Sequence, residues 1–225
     1  MITLLTGENE FEVECDIERL VTELAIVPEK YDGMVITKMQ LPDLFMGGTL
    51  FADQRLIIIS GLSGNKNLWE DLEVWLDRVP SDTQLILIDP KPDKRTRTYK
   101  WLQKHAKVRE HSLLGDQERL AWLQAESQRL NLEIDRATAQ FLISYATGDQ
   151  RRLRGDLDKL ALSGQKVTKA LITEIIEPNP EASAFELLDA VIAGDLDLAR
   201  RRLSAVRQGE DAYKFVGLLV SQLYT

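Results

Sequence analysis

Residues 2–24 read ITLLTGENEFEVECDIERLVTEL, and this stretch decides the fold. The apolar run Ile2–Leu5 predicts a short buried strand, and a loop containing Gly7 follows it. From Val13 to Leu24, apolar residues recur at helical spacing. A strand that leads through a glycine loop into an amphipathic helix is typical of the start of an α/β domain.

Further apolar runs extend this pattern along the first half of the chain. Residues 55–60 (RLIIIS) and 84–88 (QLILI) predict two buried strands, and residues 34–39 suggest another. Residues 69–79 predict an amphipathic crossover helix. Because continuous apolar runs fit strands covered on both faces, we expect a parallel sheet with helices on either side.

After His111 the strand-like runs stop, and helical patterns broken by turns continue to the end. Asp149 is expected to begin one of these helices and Gly164 to end it. We therefore predict an α/β domain over residues 1–112, a helical domain over 113–180 and the beginning of a second helical domain over 181–225. Apolar residues run up to the last positions, so we expect this last domain to be incomplete.

Composition restricts the function. The chain has 225 residues, a formal net charge of −8 and one cysteine, Cys15. A lone cysteine forms no intramolecular disulfide and no cysteine-based zinc site, and the negative charge argues against binding DNA over the whole surface. No apolar run approaches the ~18–20 residues that cross a bilayer, and the first residues lack a basic signal segment. We expect a cytoplasmic protein without membrane contact.

Catalytic motifs are missing. The loop Thr6–Glu10 stands where a phosphate-binding loop would stand, but it has one glycine, no lysine and two glutamates that would repel a triphosphate. Asp89 follows a strand without an acidic neighbour, so we expect it only to end that strand. His105 and His111 have no partners at a known motif spacing, and we expect both at the surface. The sequence predicts neither enzymatic activity nor a cofactor.

A Leu-Phe pair, Leu50 and Phe51, lies between Gly47-Gly48 and the strand at residues 55–60. On a helix, adjacent side chains point ~100° apart, so one core face does not easily bury both. Two hypotheses remain open at this point: the pair enters a pocket of a partner protein, or it belongs to a short connector packed into the domain's own core.

Basic residues follow the fourth apolar run. Arg97, Lys100, Lys104 and Lys107 would share one stripe of a helix, separate from an apolar stripe that would pack on the sheet. This basic stripe either contacts DNA phosphates within an assembly or is a solvated helix face.

Four stretches of the sequence have a recognisable order and spacing: LLTGENEF at 4–11, LFADQRLI at 50–57, DKRTRTYKWL at 93–102 and FELLDA at 185–190. Through these stretches the sequence resembles the delta subunit of the bacterial DNA polymerase III clamp loader over essentially its whole length. A further segment, at 151–160, is similar to the family's helical lid.

The resemblance implies an AAA+-like α/β domain that has lost nucleotide binding, followed by a helical lid and the start of a helical collar that joins the other loader subunits. It also implies that Leu50 and Phe51 insert into a pocket of the sliding clamp and help to open it. DNA would be contacted only in the assembled complex. Two alternatives stay open: a degenerate AAA+ ATPase, and an α/β adaptor outside replication.

Overall fold

A computed structural model describes residues 1–47, 54–146, 149–178, 187, 190–196, 199–200 and 203. The chain divides into two compact units, one formed by Met1–Leu113 and the other beginning at Leu114. Among the described residues, no helix is both long and apolar enough to cross a membrane.

The first unit is built on a five-stranded sheet in the order β2-β3-β4-β1-β5, and every neighbouring pair of strands is parallel. The predicted α/β class with a parallel sheet is therefore confirmed. Its strands are β1 (Ile2–Thr6), β2 (Glu29–Asp32), β3 (Arg55–Ser60), β4 (Thr83–Ile88) and β5 (Lys107–Glu110), and its helices are α1 (Glu10–Leu24), α2 (Leu41–Met46), α3 (Lys66–Trp69), α4 (Glu73–Leu76) and α5 (Arg97–His105).

Two apolar layers cover the sheet, because successive side chains of a strand point to opposite faces. On one face, α1 packs against Leu5, Ile58 and Ile86. On the other, the remaining helices enclose Leu4 and Ile57 in the larger core of the unit. Burial of side chains on both faces explains why the central strands are continuously apolar.

Three local predictions were wrong. Residues 34–39 are not a strand: the Asp32 carboxylate accepts a hydrogen bond from the Met34 amide at 2.9 Å, which closes a turn, and the second strand lies earlier, at Glu29–Asp32. The crossover between β3 and β4 is two short helices, α3 and α4, rather than one. A fifth strand, Lys107–Glu110, was not predicted.

The second unit is helical in its described part, as the pattern predicts. Its helices α6 (Asp116–Arg129), α7 (Arg136–Ala146), α8 (Gln150–Leu162) and α9 (Lys169–Ile175) surround one apolar cluster. Asp149 begins α8, where its carboxylate accepts a hydrogen bond from the Arg151 amide at 2.9 Å. The division of the chain into domains 1–112, 113–180 and 181–225 stays a prediction.

Candidate functional site

Arg55, the first residue of β3, joins two separate parts of the first unit. Its Nε and Nη2 atoms donate to the two carboxylate oxygens of Glu29, at 2.6 and 2.7 Å. Its Nη1 atom donates to the carbonyl oxygens of Asp43, Leu44 and Gly47, at 3.1, 2.9 and 3.1 Å. The last carbonyls of a helix have no partners within it, so Arg55 both caps α2 and ties it to β2. We call these contacts the Arg55 clasp.

Electrostatics stabilise the Arg55 clasp. The Arg55 hydrogen bond lowers the pKa of the Glu29 carboxyl, against the opposing effect of burial. The same bond raises the pKa of Arg55. The pKa of the Tyr31 phenol is raised, first by burial and then by the hydrogen bond that the phenol donates to Glu29 at 2.8 Å. The pair is therefore charged across the physiological pH range, and only 13% of the Arg55 side chain is exposed.

Leu50 and Phe51 lie outside the described residues, but the residues that flank their segment do not. The backbone is described up to Gly47 and again from Gln54. Arg55 holds the Gly47 carbonyl oxygen directly, at 3.1 Å. The Arg55 clasp thus holds together Gly47 and the start of β3, the two described parts of the chain that flank segment 48–53.

The loop after β1 is closed by the chain's own backbone. The Gly7 amide donates to the Pro90 carbonyl, and the Asn9 amide donates to the His111 carbonyl, both at 3.0 Å. Gly7 has φ +102°, and a Cβ at this position would lie 2.0 Å from the His111 carbonyl oxygen. The Asn9 side chain caps α1 by accepting from the Glu12 amide at 3.2 Å. Amides that would face a phosphate in a phosphate-binding loop are thus used internally.

Charges beside this loop are paired. A cavity of about 270 Å³ at the carboxyl ends of β1, β4 and β5 is lined by two lysines and two glutamates. Lys91 contacts Glu8 at 2.6 Å, and Lys94 contacts Glu110 at 3.3 Å. Because each ammonium group already has a carboxylate partner, the cavity offers an anion little net attraction.

Asp89 is buried rather than simply marking the end of β4. It is 1% exposed, and its Oδ1 accepts a hydrogen bond from the Ser63 amide at 3.0 Å. Its Oδ2 has no hydrogen-bond partner within the described part of the chain. Burial raises the pKa of this carboxyl, although the Ser63 bond opposes the rise.

The residues of the basic stripe occupy different elements. Arg97, Lys100 and Lys104 lie on α5, whereas Lys107 is the first residue of β5 because the helix ends at His105. All four are exposed. Arg97 is paired with Asp71 at 2.9 Å and approaches Glu73 at 3.8 Å. No ion pair with a described residue is formed by the other three members of the stripe, Lys100, Lys104 and Lys107. Their charges are therefore not neutralised by a neighbouring carboxylate in the described part of the chain.

A buried charge cluster on α1 was missed. Asp16 is 7% exposed and contacts Arg109 at 2.8 Å and the His111 Nε2 atom at 2.9 Å, and it also binds Arg19. Burial acts to raise the pKa of Asp16, but these partners outweigh it, and the pKa is lowered. His111 is therefore partly buried and paired, which corrects the expectation of a surface residue. No sequence signal links residues 95 positions apart.

Comparison with solved structures shows which fold the chain has. The chain has the fold of a clamp-loader subunit: it is similar to the Bacillus subtilis DNA clamp loader delta protein, with a TM-score of 0.78 and 17% identity, over 98% of this chain and 71% of that one. Domain III of the Thermotoga maritima replication initiation protein DnaA matches with a TM-score of 0.41 and 14% identity, over 79% of this chain and 85% of that one. The Thermotoga maritima RuvB Holliday junction branch migration motor matches with a TM-score of 0.45 and 10% identity, over 84% of this chain and 68% of that one. Both of these scores lie below 0.5, so the fold is assigned from the match to the clamp loader delta protein.

Sequence comparison then gives the family. Residues 4–112 match the family described as DNA polymerase III, delta subunit. Residues 4–112 therefore belong to this family, as the resemblance predicted. No curated protein sequence matches the chain.

Proposed function

We propose that this subunit binds the ring-shaped sliding clamp and opens it, with Leu50 and Phe51 inserted into an apolar pocket of the clamp. Family membership supports the partner. The assignment of the pair comes from the family resemblance, and the structural observation that supports it is the Arg55 clasp, which holds Gly47 next to the start of β3 on either side of the segment that bears the two residues.

The expected energy of this contact is on the scale of a hot spot in a protein interface. Burying a leucine or phenylalanine side chain contributes about 1.5–3 kcal/mol each. Two such side chains therefore contribute at least about 3 kcal/mol, or about 100-fold in affinity. Anchoring the ends of the segment lowers the conformational entropy lost when it binds. Binding that favours a clamp with one open interface shifts the ring toward that form.

Mutation of the pair tests this proposal by capture of the cognate clamp on immobilised protein, with dissociation constants from titration. We expect Leu50→Ala with Phe51→Ala to weaken binding by about 100-fold or more, because the burial of both side chains is removed. The matched control is Val27→Ala with Leu113→Ala, because these two apolar side chains are 89% and 67% exposed in the first unit. Equal capture of wild type and the Leu50/Phe51 variant would remove the assignment of the site.

A degenerate ATPase is the first alternative, and the loop after β1 argues against it. The sequence has no Gly-x-x-x-x-Gly-Lys-Ser/Thr motif. The Gly7 and Asn9 amides are used by the Pro90 and His111 carbonyls. We propose a non-catalytic subunit that uses no cofactor. Titration with a fluorescent ATP analogue separates the two functions, since micromolar binding that depends on residues 6–9 would establish the alternative.

The basic stripe is proposed to contact DNA phosphates only when the subunit is part of the assembled loader. Lys100, Lys104 and Lys107 are the favoured contacts, and Arg97 is less suited because Asp71 already binds it. We expect Lys100→Ala with Lys104→Ala and Lys107→Ala to weaken DNA binding by the loader. The slope of log K against log salt concentration should flatten by about 0.9 for each phosphate that the variant no longer binds. An unchanged slope would identify a solvated helix face.

Other loader subunits are the remaining proposed partners, and they would bind through the collar that begins near residue 181. A cytoplasmic location follows from the role in replication. The second alternative, an adaptor outside replication, predicts that the cognate clamp is not captured at all, so the capture experiment also decides this question.

A further inference from the structure

The face of the sheet that α1 covers contains a cavity of about 250 Å³ at the carboxyl ends of β1, β3 and β4. We call it the α1-face cavity. Its walls are apolar and include Leu5, Val13, Ile17 and Ile88. It is separate from the Arg55 clasp, which lies at the amino end of β3.

Incomplete cover of the sheet explains why this cavity exists. Among the described residues, α1 is the only helix that contributes to the apolar cluster on this face. Ile17 and Ile88 are only partly buried, and Ser60 at the end of β3 is exposed. One helix therefore leaves the ends of two central strands within reach of a partner.

Size and polarity restrict what can enter. The cavity is smaller than the ~300–1,000 Å³ of sites for drug-sized ligands, so it suits a single side chain. Apolar walls disfavour a buried charge. Glu10 and Glu14, both exposed, line the cavity from successive turns of α1, and residues four apart stand on one side of a helix. The site thus combines a hydrocarbon floor with negative charge at the mouth.

We propose that the α1-face cavity receives a lysine or arginine side chain of another subunit of the loader. The aliphatic stem lies against Val13 and Ile17, and the cationic group meets the carboxylates of Glu10 and Glu14. Long basic side chains bury their stems in this way and keep the charge near water. A nucleic acid is disfavoured because the same carboxylates repel phosphates. The inference rests on the proposed assembly with loader subunits but not on Leu50 and Phe51.

Methyl NMR of this chain tests the chemistry of the cavity, with n-butylguanidinium as the probe and pentanoate as an anion of similar length. We expect saturable shifts of the Val13, Ile17 and Ile88 methyl signals with the cation, and binding of pentanoate weaker by about fivefold or more. Equal binding of the two probes, or no saturable shift, would overturn the proposal.

Charge-removing variants test the role of the mouth. Glu10→Gln with Glu14→Gln should weaken n-butylguanidinium binding several-fold. The control, Glu18→Gln with Glu23→Gln, removes two charges from exposed positions of the same helix that do not line the cavity, and it should bind as wild type does. Similar losses in both variants would mean that the net charge of the chain, rather than this site, attracts the cation.

Assembly with the cognate loader subunits tests the identity of the partner. We expect the Glu10/Glu14 variant to raise the dissociation constant for these subunits several-fold while its capture of the clamp stays at the wild-type level. If wild type and variant assemble equally, this inference fails and the proposed function stands. If wild type captures the clamp but does not assemble at all, the proposed assembly fails, and this inference fails with it.

Discussion

Replacement of Arg55 by alanine is the most informative perturbation of the first unit, because one guanidinium group makes all the contacts of the Arg55 clasp. The variant removes the bidentate pair with Glu29 and the donors to the Asp43, Leu44 and Gly47 carbonyls. It leaves the end of α2 without its cap, and the Glu29 carboxylate keeps the hydrogen bond from the Tyr31 hydroxyl but loses its cationic partner. We therefore expect a loss of both stability and clamp binding.

The magnitude follows from exposure. Breaking a buried ion pair costs about 3–5 kcal/mol. The Arg55 side chain is 13% exposed, but that of Glu29 is 38% exposed, so water can partly solvate the abandoned carboxylate. We expect the free energy of unfolding to fall by about 2–3 kcal/mol. Arg55→Lys keeps the charge but not the fork of donors, and it should recover less than half of the loss.

Urea unfolding followed by circular dichroism measures this change. Arg95→Ala is the matched control, because Arg95 also pairs with a carboxylate, that of Asp93, but its side chain is 91% exposed. The Arg95 variant should be about as stable as wild type, because water and salt screen an exposed pair. If Arg55→Ala and Arg95→Ala have equal stabilities, the Arg55 clasp does not hold the ends of segment 48–53, and the assignment of the site loses its structural support.

Three further changes probe other positions of the first unit. Asp89→Asn should raise stability at neutral pH. The pKa of the Asp89 carboxyl is raised in the folded state, so wild type loses stability as the pH rises through that pKa, whereas the variant does not. Urea midpoints measured across this pH range would contradict the prediction if they coincided for the two proteins. Asp16→Asn should lower stability at pH 7. The difference in unfolding free energy between variant and wild type should shrink as the pH falls through the lowered pKa of Asp16, because protonation then removes the ion pair with Arg109 from wild type as well. Gly7→Ala should lower the free energy of unfolding by more than about 2 kcal/mol, because φ is +102° and the new Cβ would lie 2.0 Å from the His111 carbonyl oxygen. Thermal or urea unfolding measures this change, and a loss below about 0.5 kcal/mol would show that the loop adjusts easily.

The sequence predicted the central strands and missed the edges of the sheet for a physical reason. β1, β3 and β4 are buried on both faces, so their apolar runs are continuous. β2 (EKYD) and β5 (KVRE) are the two outer strands, and each has charged, partly exposed residues. Edge strands carry charge that limits pairing with other chains, and this charge removes the pattern by which strands are recognised.

Residues 34–39 show the opposite error. They are apolar enough to suggest a strand, yet Met34 and Val35 are 58% and 72% exposed, and Ile36 alone is deeply buried. Gly33 allows the chain to pass close to Leu62, because a Cβ at position 33 would lie only 2.5 Å from the Leu62 Cα. A close backbone approach of this kind depends on tertiary structure, which composition does not reveal.

The site was predicted in part. The Leu50 and Phe51 assignment came from the family resemblance, and it stays a prediction because both residues lie outside the described part of the chain. The Arg55 clasp was not foreseen, since Glu29 and Arg55 are 26 positions apart and pair only through adjacent strands. The basic stripe was foreseen as one helix face, but α5 ends at His105 and Lys107 begins a strand.

Release of the cognate clamp from nicked circular DNA tests the proposed opening of the ring most directly, because a closed ring on a closed circle leaves only after one of its interfaces opens. We predict that this subunit in excess accelerates the release and that Leu50→Ala with Phe51→Ala abolishes the acceleration. An unchanged rate of release with wild type, or equal acceleration by the double variant, would contradict this mechanism.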